Sequence, residues 1–403
     1  MLKNITHVRG FKCWGAHMGI KSKRRDLALI YSEKPASAAA VFTKNVVCAE
    51  PIKLSRQHIK DGIVQAIVIN SGNANACTGK AGWKGAVAMA EETAKCLDIS
   101  KNSVLVASTG LIGEPFPTEK VLEGIRESAK KLSDREIAGT LTANAILTTD
   151  TFAKEGFTSF TIDGHEINMA GIAKGSGMIH PNMGTMLSFI VCDIAITPKL
   201  LDEALREVVD KTFNMITVDG DTSTNDMVSI LCNGMAGNKE ISKKDKNYQT
   251  FVSNLHDLCK HLAKLIISDG EGSTKLVEYS VAGAKNDQEA RKIVRTVSDS
   301  NLVKTAVFGS DPNWGRVLAA AGRAGVDFDP EKVDLYIGSD PNKGVQILKK
   351  GQPLNKARDA LKSVMKSSTI SIRLNLNNGN GEATGWGSDF SYEYVRINAE
   401  YTT

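Results

Sequence analysis

Apolar positions along the chain repeat with two periods, and each predicts its own kind of element. Short apolar and β-branched runs predict strands at 64–70 (VQAIVIN), 103–108 (SVLVAS), 185–196 (TMLSFIVCDIAI), 227–232 (MVSILC), 333–338 (VDLYIG) and 369–375 (TISIRLN). Apolar residues three and four apart predict helices at 82–98, 118–132, 197–213, 249–267 and 288–298. Thr197-Pro198 reads as a helix start, with an N-cap hydroxyl followed by proline at the first helical position. Strands and helices are mixed without strict alternation, which disfavours a simple doubly wound sheet. The expected class is mixed α/β (α+β), a layered sandwich. A domain break is expected near 275, after DGEGSTK.

Composition narrows the function classes. The chain has 403 residues, enough for two or three domains, with 42% hydrophobic and 24% charged residues. Its net charge of +5 is spread along the chain, and the densest basic run, KSKRR at 21–25, has no interleaved aromatics. That run reads as a solvated surface, and no nucleic-acid partner is expected. The seven cysteines form no CxxC pair, which fits free thiols in a reducing cytosol. The seven histidines have no zinc-binding spacing, so no metal is expected. No apolar run resembles a signal peptide or a membrane span, so the expected location is cytoplasmic. GNANACTG and GSDPNWGR lack the phosphate-loop pattern, and TVDGDTSTND lacks the spacing of a calcium loop. All three read as structural loops beside a site, with Asp311 and Arg316 as weak candidates.

The stretch that carries chemistry is KGSGMIHPNMGTMLSF, residues 174–189. Glycines, Pro181 and Asn182 make its first half a loop, and a strand follows from Thr185. A threonine hydroxyl is a weak nucleophile and needs a base. One solution is its own α-amine, exposed by cutting the chain in front of it. Such an amine has a pKa of about 7.7–8, so a useful fraction is neutral near pH 7. Gly184-Thr185 suits this chemistry, because glycine has no Cβ to obstruct attack on its carbonyl. The plain alternative is a loop feeding a strand, with threonine present for its β propensity.

The stretch resembles the self-processing motif of the ornithine acetyltransferase (glutamate N-acetyltransferase) family, K-G-x-G-M-x-x-P-x-M-A-T-M-L. INSGNANACTG (69–79), STGLIGEPFP (108–117), ILTTDTFAK (146–154), DGEGSTK (269–275), GSDPNWGR (309–316) and the C-terminal YVRINAEYTT resemble further family segments in family order. The resemblance implies self-cleavage into an α chain of 1–184 and a β chain of 185–403, with Thr185 as the N-terminal nucleophile. Gly184 departs from the family's alanine, and cleavage is expected to survive the change. His180 stands where a small or apolar residue is common and is expected to be a satisfied loop histidine.

By the same resemblance Thr109 and Gly110 form the oxyanion hole, and Thr148, Lys174, Thr185, Glu271, Asn398 and Thr403 bind substrate. The C-terminal segment is therefore expected to be ordered and to reach the site. The implied fold is an N-terminal-nucleophile-like layered α/β sandwich of the ornithine acetyltransferase and aminopeptidase type. It has an acyltransferase core over 1–275 and a smaller C-terminal α/β domain over 276–403. The implied reaction moves acetyl from N-acetylornithine to glutamate through an acetyl-threonine, with acetyl-CoA as an alternative donor in some members. An ester intermediate needs no cofactor. The family assembles as α2β2. The nearest rival is an N-terminal-nucleophile aminopeptidase or amidase, in which water resolves the acyl-enzyme. A rival from another class is a small-molecule binding protein with an uncut chain.

Overall fold

A computed structural model describes residues 3–180, 186–340, 343–354 and 357–400. Among these residues the longer sheet holds β1 (Phe11–Ala16), β2 (Leu27–Phe42), β3 (Ile63–Asn73), β4 (Val104–Leu111), β5 (Lys154–Ile162), β6 (His165–Lys174), β7 (Leu187–Cys192) and β9 (Met227–Cys232). The short β8 (Ile216–Thr217) belongs to the second sheet. With it go β10 (Leu276–Ala284), β11 (Asp334–Asp340), β12 (Lys343–Lys349), β13 (Gln352–Pro353), β14 (Thr369–Asn375) and β15 (Gly381–Ser388).

The first sheet runs in the order β4-β3-β2-β9-β7-β6-β5, with β1 also paired to β2. β3 and β4 are parallel, as are β7 and β9, while β6 is antiparallel to β7. The second runs β13-β12-β11-β14-β10-β15-β8. This is the mixed α/β class that the sequence predicts.

Alternation along the central strands feeds separate cores. Ile67 and Ile69 of β3, with Leu187, Phe189 and Val191 of β7, enter a core closed by α1 (Glu50–His58) and α4 (Glu136–Ala145). Their neighbours Ala66 and Val68 face α2 (Gly79–Leu97) and α3 (Thr118–Ala129). Ile190 and Cys192 join the largest core, with α5 (Pro198–Lys211), α6 (Lys246–Ser268) and α7 (Asp287–Ser298). That core continues into the second sheet through Val277, Tyr279, Ile370 and Ile372. α8 (Asn301–Phe308), α9 (Trp314–Gly322) and α10 (Ala357–Val364) flank the second sheet, and α11 (Tyr392–Glu400) ends the described chain.

The structure departs from the sequence reading at definite points. β7 covers 187–192 of the run expected over 185–196, whose first residue lies outside the described residues. Beyond Asp193 the chain leaves the sheet, and the Ala195 N–H donates to the Asn238 side chain at 2.9 Å in place of a strand neighbour. The long β2 has no counterpart among the expected strands, because the polar segment SEKPAS interrupts its apolar pattern. The pairing register shifts there, between Tyr31 and Ala36. Thr197 precedes α5 and Pro198 is its first residue, but the Thr197 hydroxyl makes no cap bond; its backbone N–H donates to Ile241 O instead. KSKRR is not simply solvated. Lys21 donates to Leu147 O (2.8 Å), Arg24 to Asp150 O (2.8 Å) and Arg25 to Gly15 O (2.8 Å). Burial pulls the Lys21 ammonium down to about 8.

Candidate active site

The ends of β4 and β6 place the first two functional side chains. Parallel pairing sets Ser71 beside Thr109 and Gly72 beside Gly110. At Gly110 φ is +131°, and an added Cβ would lie 2.3 Å from the Gly72 carbonyl carbon. Only glycine fits this turn. Asn225 locks it from the other side, its Nδ2 donating to Ser108 O (2.9 Å) and Ala74 O (2.6 Å). Lys174, the last residue of β6, donates from Nζ to the Thr109 hydroxyl at 3.3 Å.

A buried ionic network holds the next segments. Lys154 is fully buried and binds both Asp150 (2.7 Å) and Asp269 (2.6 Å). Asp150 also accepts the backbone N–H groups of Thr148 (2.9 Å) and Gly175 (2.7 Å). Asp269 accepts the Thr151 N–H at 2.9 Å and the Thr151 hydroxyl. The Ser176 hydroxyl donates to Asp269 O (2.7 Å), and Glu271 N–H to Ser176 O (2.9 Å). One network thus joins the Thr148, Lys174 and Glu271 loops. Burial opposes charge on Asp150, but the Lys174 and Lys154 ammonium groups and these hydrogen bonds outweigh it. Its carboxyl sits well below the usual carboxylate range.

α11 closes the remaining side. Ser391 donates to Gly272 O (2.5 Å), and Tyr394 Oη to Asp219 (3.2 Å). Asn398 then donates from Nδ2 to Glu271 Oε2 at 2.9 Å. A Cβ on Gly177 would lie 2.3 Å from that same Glu271 oxygen, so glycine admits the carboxylate to the cleft.

The resulting cleft is lined by Thr109, Gly110, Thr148, Lys174, Glu271 and Asn398. Six residues from five separate segments of the sequence therefore meet in one place, beside Met186 and Leu187. Gly184, Thr185 and Thr403 lie outside the described residues. Ser223, Thr224, Asn225 and Asp226 also line the cleft; the sequence reading places their loop, TVDGDTSTND, beside a site but singles out none of the four. The run of short polar residues directly before an apolar strand was the available signal. Asp311 and Arg316 lie elsewhere. Asp311 accepts from Asn313, and Arg316 donates to Leu302 O at the corner between α8 and α9. His180 is held by Thr217 (3.1 Å) and Arg295 (2.7 Å), as expected of a satisfied loop histidine.

A larger recess of about 680 Å³ opens along the second half of β2, between α1 and α5. Its charged side chains are Lys44, Arg56, Lys60, Lys199 and Arg206 with Asp61 and Asp202. Arg206 is bonded to Asp202 (2.8 Å) and Arg56 to the Thr43 carbonyl, which leaves a basic surface recess. The smaller cleft is where the Thr109 hydroxyl, the Lys174 ammonium and the Glu271 carboxylate converge.

Fold and cleft define a layered α/β enzyme with a polar site built from strand ends and loops. The model of the ArgJ family matches residues 12–403. The arginine biosynthesis bifunctional protein ArgJ of Caldanaerobacter subterraneus subsp. tengcongensis is 48% identical over 395 residues, 98% of this chain and 97% of that protein. ArgJ 1 of Clostridium acetobutylicum is 48% identical over 400 residues, 99% of this chain and 97% of that protein. Among solved structures, ArgJ of Bacillus halodurans is 42% identical with a TM-score of 0.51, and the match covers 54% of this chain and 100% of that chain. The chain belongs to the ArgJ family.

Proposed function

We propose that the chain is a self-cleaving acetyltransferase of arginine biosynthesis that moves acetyl from N-acetylornithine to glutamate, with acetyl-CoA as a second donor. The observation that carries this reading is the convergence of Thr109, Gly110, Lys174, Glu271 and Asn398 beside Met186, the residue after Thr185. The curated relatives named above are arginine biosynthesis bifunctional proteins, which supports the substrate class.

In this reading the Thr185 hydroxyl attacks the acetyl carbonyl and its proton passes to the Thr185 α-amine. The oxyanion is held by Thr109 and Gly110. Because Lys174 donates to the Thr109 oxygen, the Thr109 proton is free to point at the oxyanion. Collapse breaks the C–N bond, and the α-ammonium returns the proton to the departing ornithine amine. The glutamate amine then attacks the acetyl ester, which releases N-acetylglutamate and restores Thr185. Lys174 pairs with a substrate carboxylate, while Glu271, oriented by Asn398, receives the ornithine side-chain ammonium. The enzyme works in the cytoplasm as α2β2, with a core over 1–275 and a smaller C-terminal unit over 276–403.

Denaturing intact mass tests the reading. Two species divided between Gly184 and Thr185 are expected, with Thr185→Ala remaining whole and inactive. Acetate release in place of N-acetylglutamate would turn the assignment to a hydrolase. Transfer by a wholly uncut chain would rule out the α-amine as the base.

A further inference from the structure

This inference rests on Gly184-Thr185 being the self-cleaved bond. Before the cut Thr185 has no α-amine, so its hydroxyl needs another proton acceptor and the departing nitrogen needs a proton donor.

The loop over 217–227 grips the chain on both sides of that bond. On the upstream side Val218 N–H donates to Ile179 O (2.7 Å), and the N–H groups of Met178 (2.7 Å) and Ile179 (2.8 Å) donate to the Asp219 carboxylate. The Thr222 hydroxyl donates to His180 O at 2.9 Å. On the downstream side Met227 N–H donates to Met186 O (3.1 Å), and β7 and β9 continue in parallel from Leu187 beside Met227. Asn225 ties the same loop to the oxyanion turn.

Asp226 stands between these grips on the cleft wall and is 2% exposed. Its Oδ2 is buried with no hydrogen-bond partner among the described residues. A buried carboxyl oxygen left unpaired costs stability, and such a group persists where function needs it. Burial pushes the Asp226 carboxyl well above the usual carboxylate range, against smaller opposing effects of hydrogen bonding by the Ser223 and Thr43 hydroxyls, the Lys174 charge and the Met186 backbone N–H. The other titratable groups facing it are the Lys174 ammonium at the end of β6 and the Cys48 thiol ahead of α1.

We propose that Asp226 is the proton-transfer residue of self-cleavage. The Thr185 oxygen bonds to the Gly184 carbonyl carbon and the C–N bond breaks. The protonated oxygen of Asp226 gives its proton to the leaving nitrogen, and its other oxygen takes the proton of the Thr185 hydroxyl. The carboxyl ends neutral, as it began. Water then hydrolyses the ester, forming the Gly184 carboxylate and restoring the Thr185 hydroxyl, and the released proton goes to the new α-amine.

The test follows cleavage by denaturing intact mass after cell-free synthesis of wild type, Thr185→Ala, Asp226→Asn and Asp226→Glu, with melting curves of each. General acid–base catalysis contributes roughly 10²–10⁴-fold, so Asp226→Asn is expected to fold yet cleave at least ~100-fold more slowly. Asp226→Glu is expected to cleave with a displaced pH–rate curve. A folded Asp226→Asn that cleaves within a few-fold of wild type overturns the inference. If Asp226→Asn does not fold, Asp226→Glu decides: a pH–rate curve superimposed on that of wild type also overturns it. An uncut wild-type chain is a different result, since it removes the self-cleavage reading itself and this inference with it.

Discussion

A single carbon added at Gly110 would strike the backbone of Gly72, so the turn that presents Thr109 tolerates no side chain. Beside it the Thr109 hydroxyl accepts from Lys174 and keeps its own proton available. Thr109→Val keeps the shape and removes that donor. Loss of one oxyanion donor costs about 10²–10³-fold in kcat, so the variant should fall by that factor with KM little changed. Steady-state acetyl transfer measures this, and an unaltered kcat would remove Thr109 from the oxyanion role. Thr109, Lys174 and Glu271 were legible in the sequence because each stands in a long motif. Asp226 was not, because its importance comes from burial and an unpaired oxygen, which sequence spacing does not express.

At the scale of elements, the site is a meeting of loops that Lys154 holds together. It is buried against two carboxylates, on the Thr148 loop and the Glu271 loop. Removing one partner of a buried ionic group costs about 3–5 kcal/mol, because the remaining charges stay desolvated. Lys154→Met should lose that much stability in denaturant titrations and raise the KM for both substrates. The acid side carries a second signature. The Asp150 carboxyl is depressed in the folded state, so it contributes stability above its unfolded pKa of about 3.9. That contribution is lost progressively as pH falls below about 4, and Lys154→Met should flatten this acid limb. An identical pH slope in both proteins would show that the Asp150 charge is not coupled to folding through Lys154. None of this network was legible in the sequence, since Lys154 and Asp269 lie 115 positions apart and meet only in the fold.

Across the whole molecule, the proposed cut does not separate two bodies. In the first sheet β9 and β7 lie between β2 and β6. Cleavage at 184–185 would leave β2 and β6 on one fragment and β7 and β9 on the other. The fragments would share backbone ladders on both sides and the apolar cores beneath them. They are therefore expected to co-elute in native size-exclusion chromatography and to part only in denaturant. Separation of folded fragments under native conditions would contradict this interlocking.

The sequence by itself determined the class of fold, the helices and strands with a clear period, and the motif segments that resemble the family. Those features are local, set by periodicity, turn residues and the chemistry a residue type permits. β2 escaped because a polar interruption hides a strand whose pairing comes from three partners. The helical form of α11 escaped because a terminal helix with no buried face gives little apolar signal, although an ordered C-terminal segment reaching the site was expected from the resemblance. Only the tertiary structure decided that Ser223, Thr224, Asn225 and Asp226 share the cleft with the motif residues. It alone placed a buried carboxyl at Asp226, because burial and charge pairing are properties of neighbours in space.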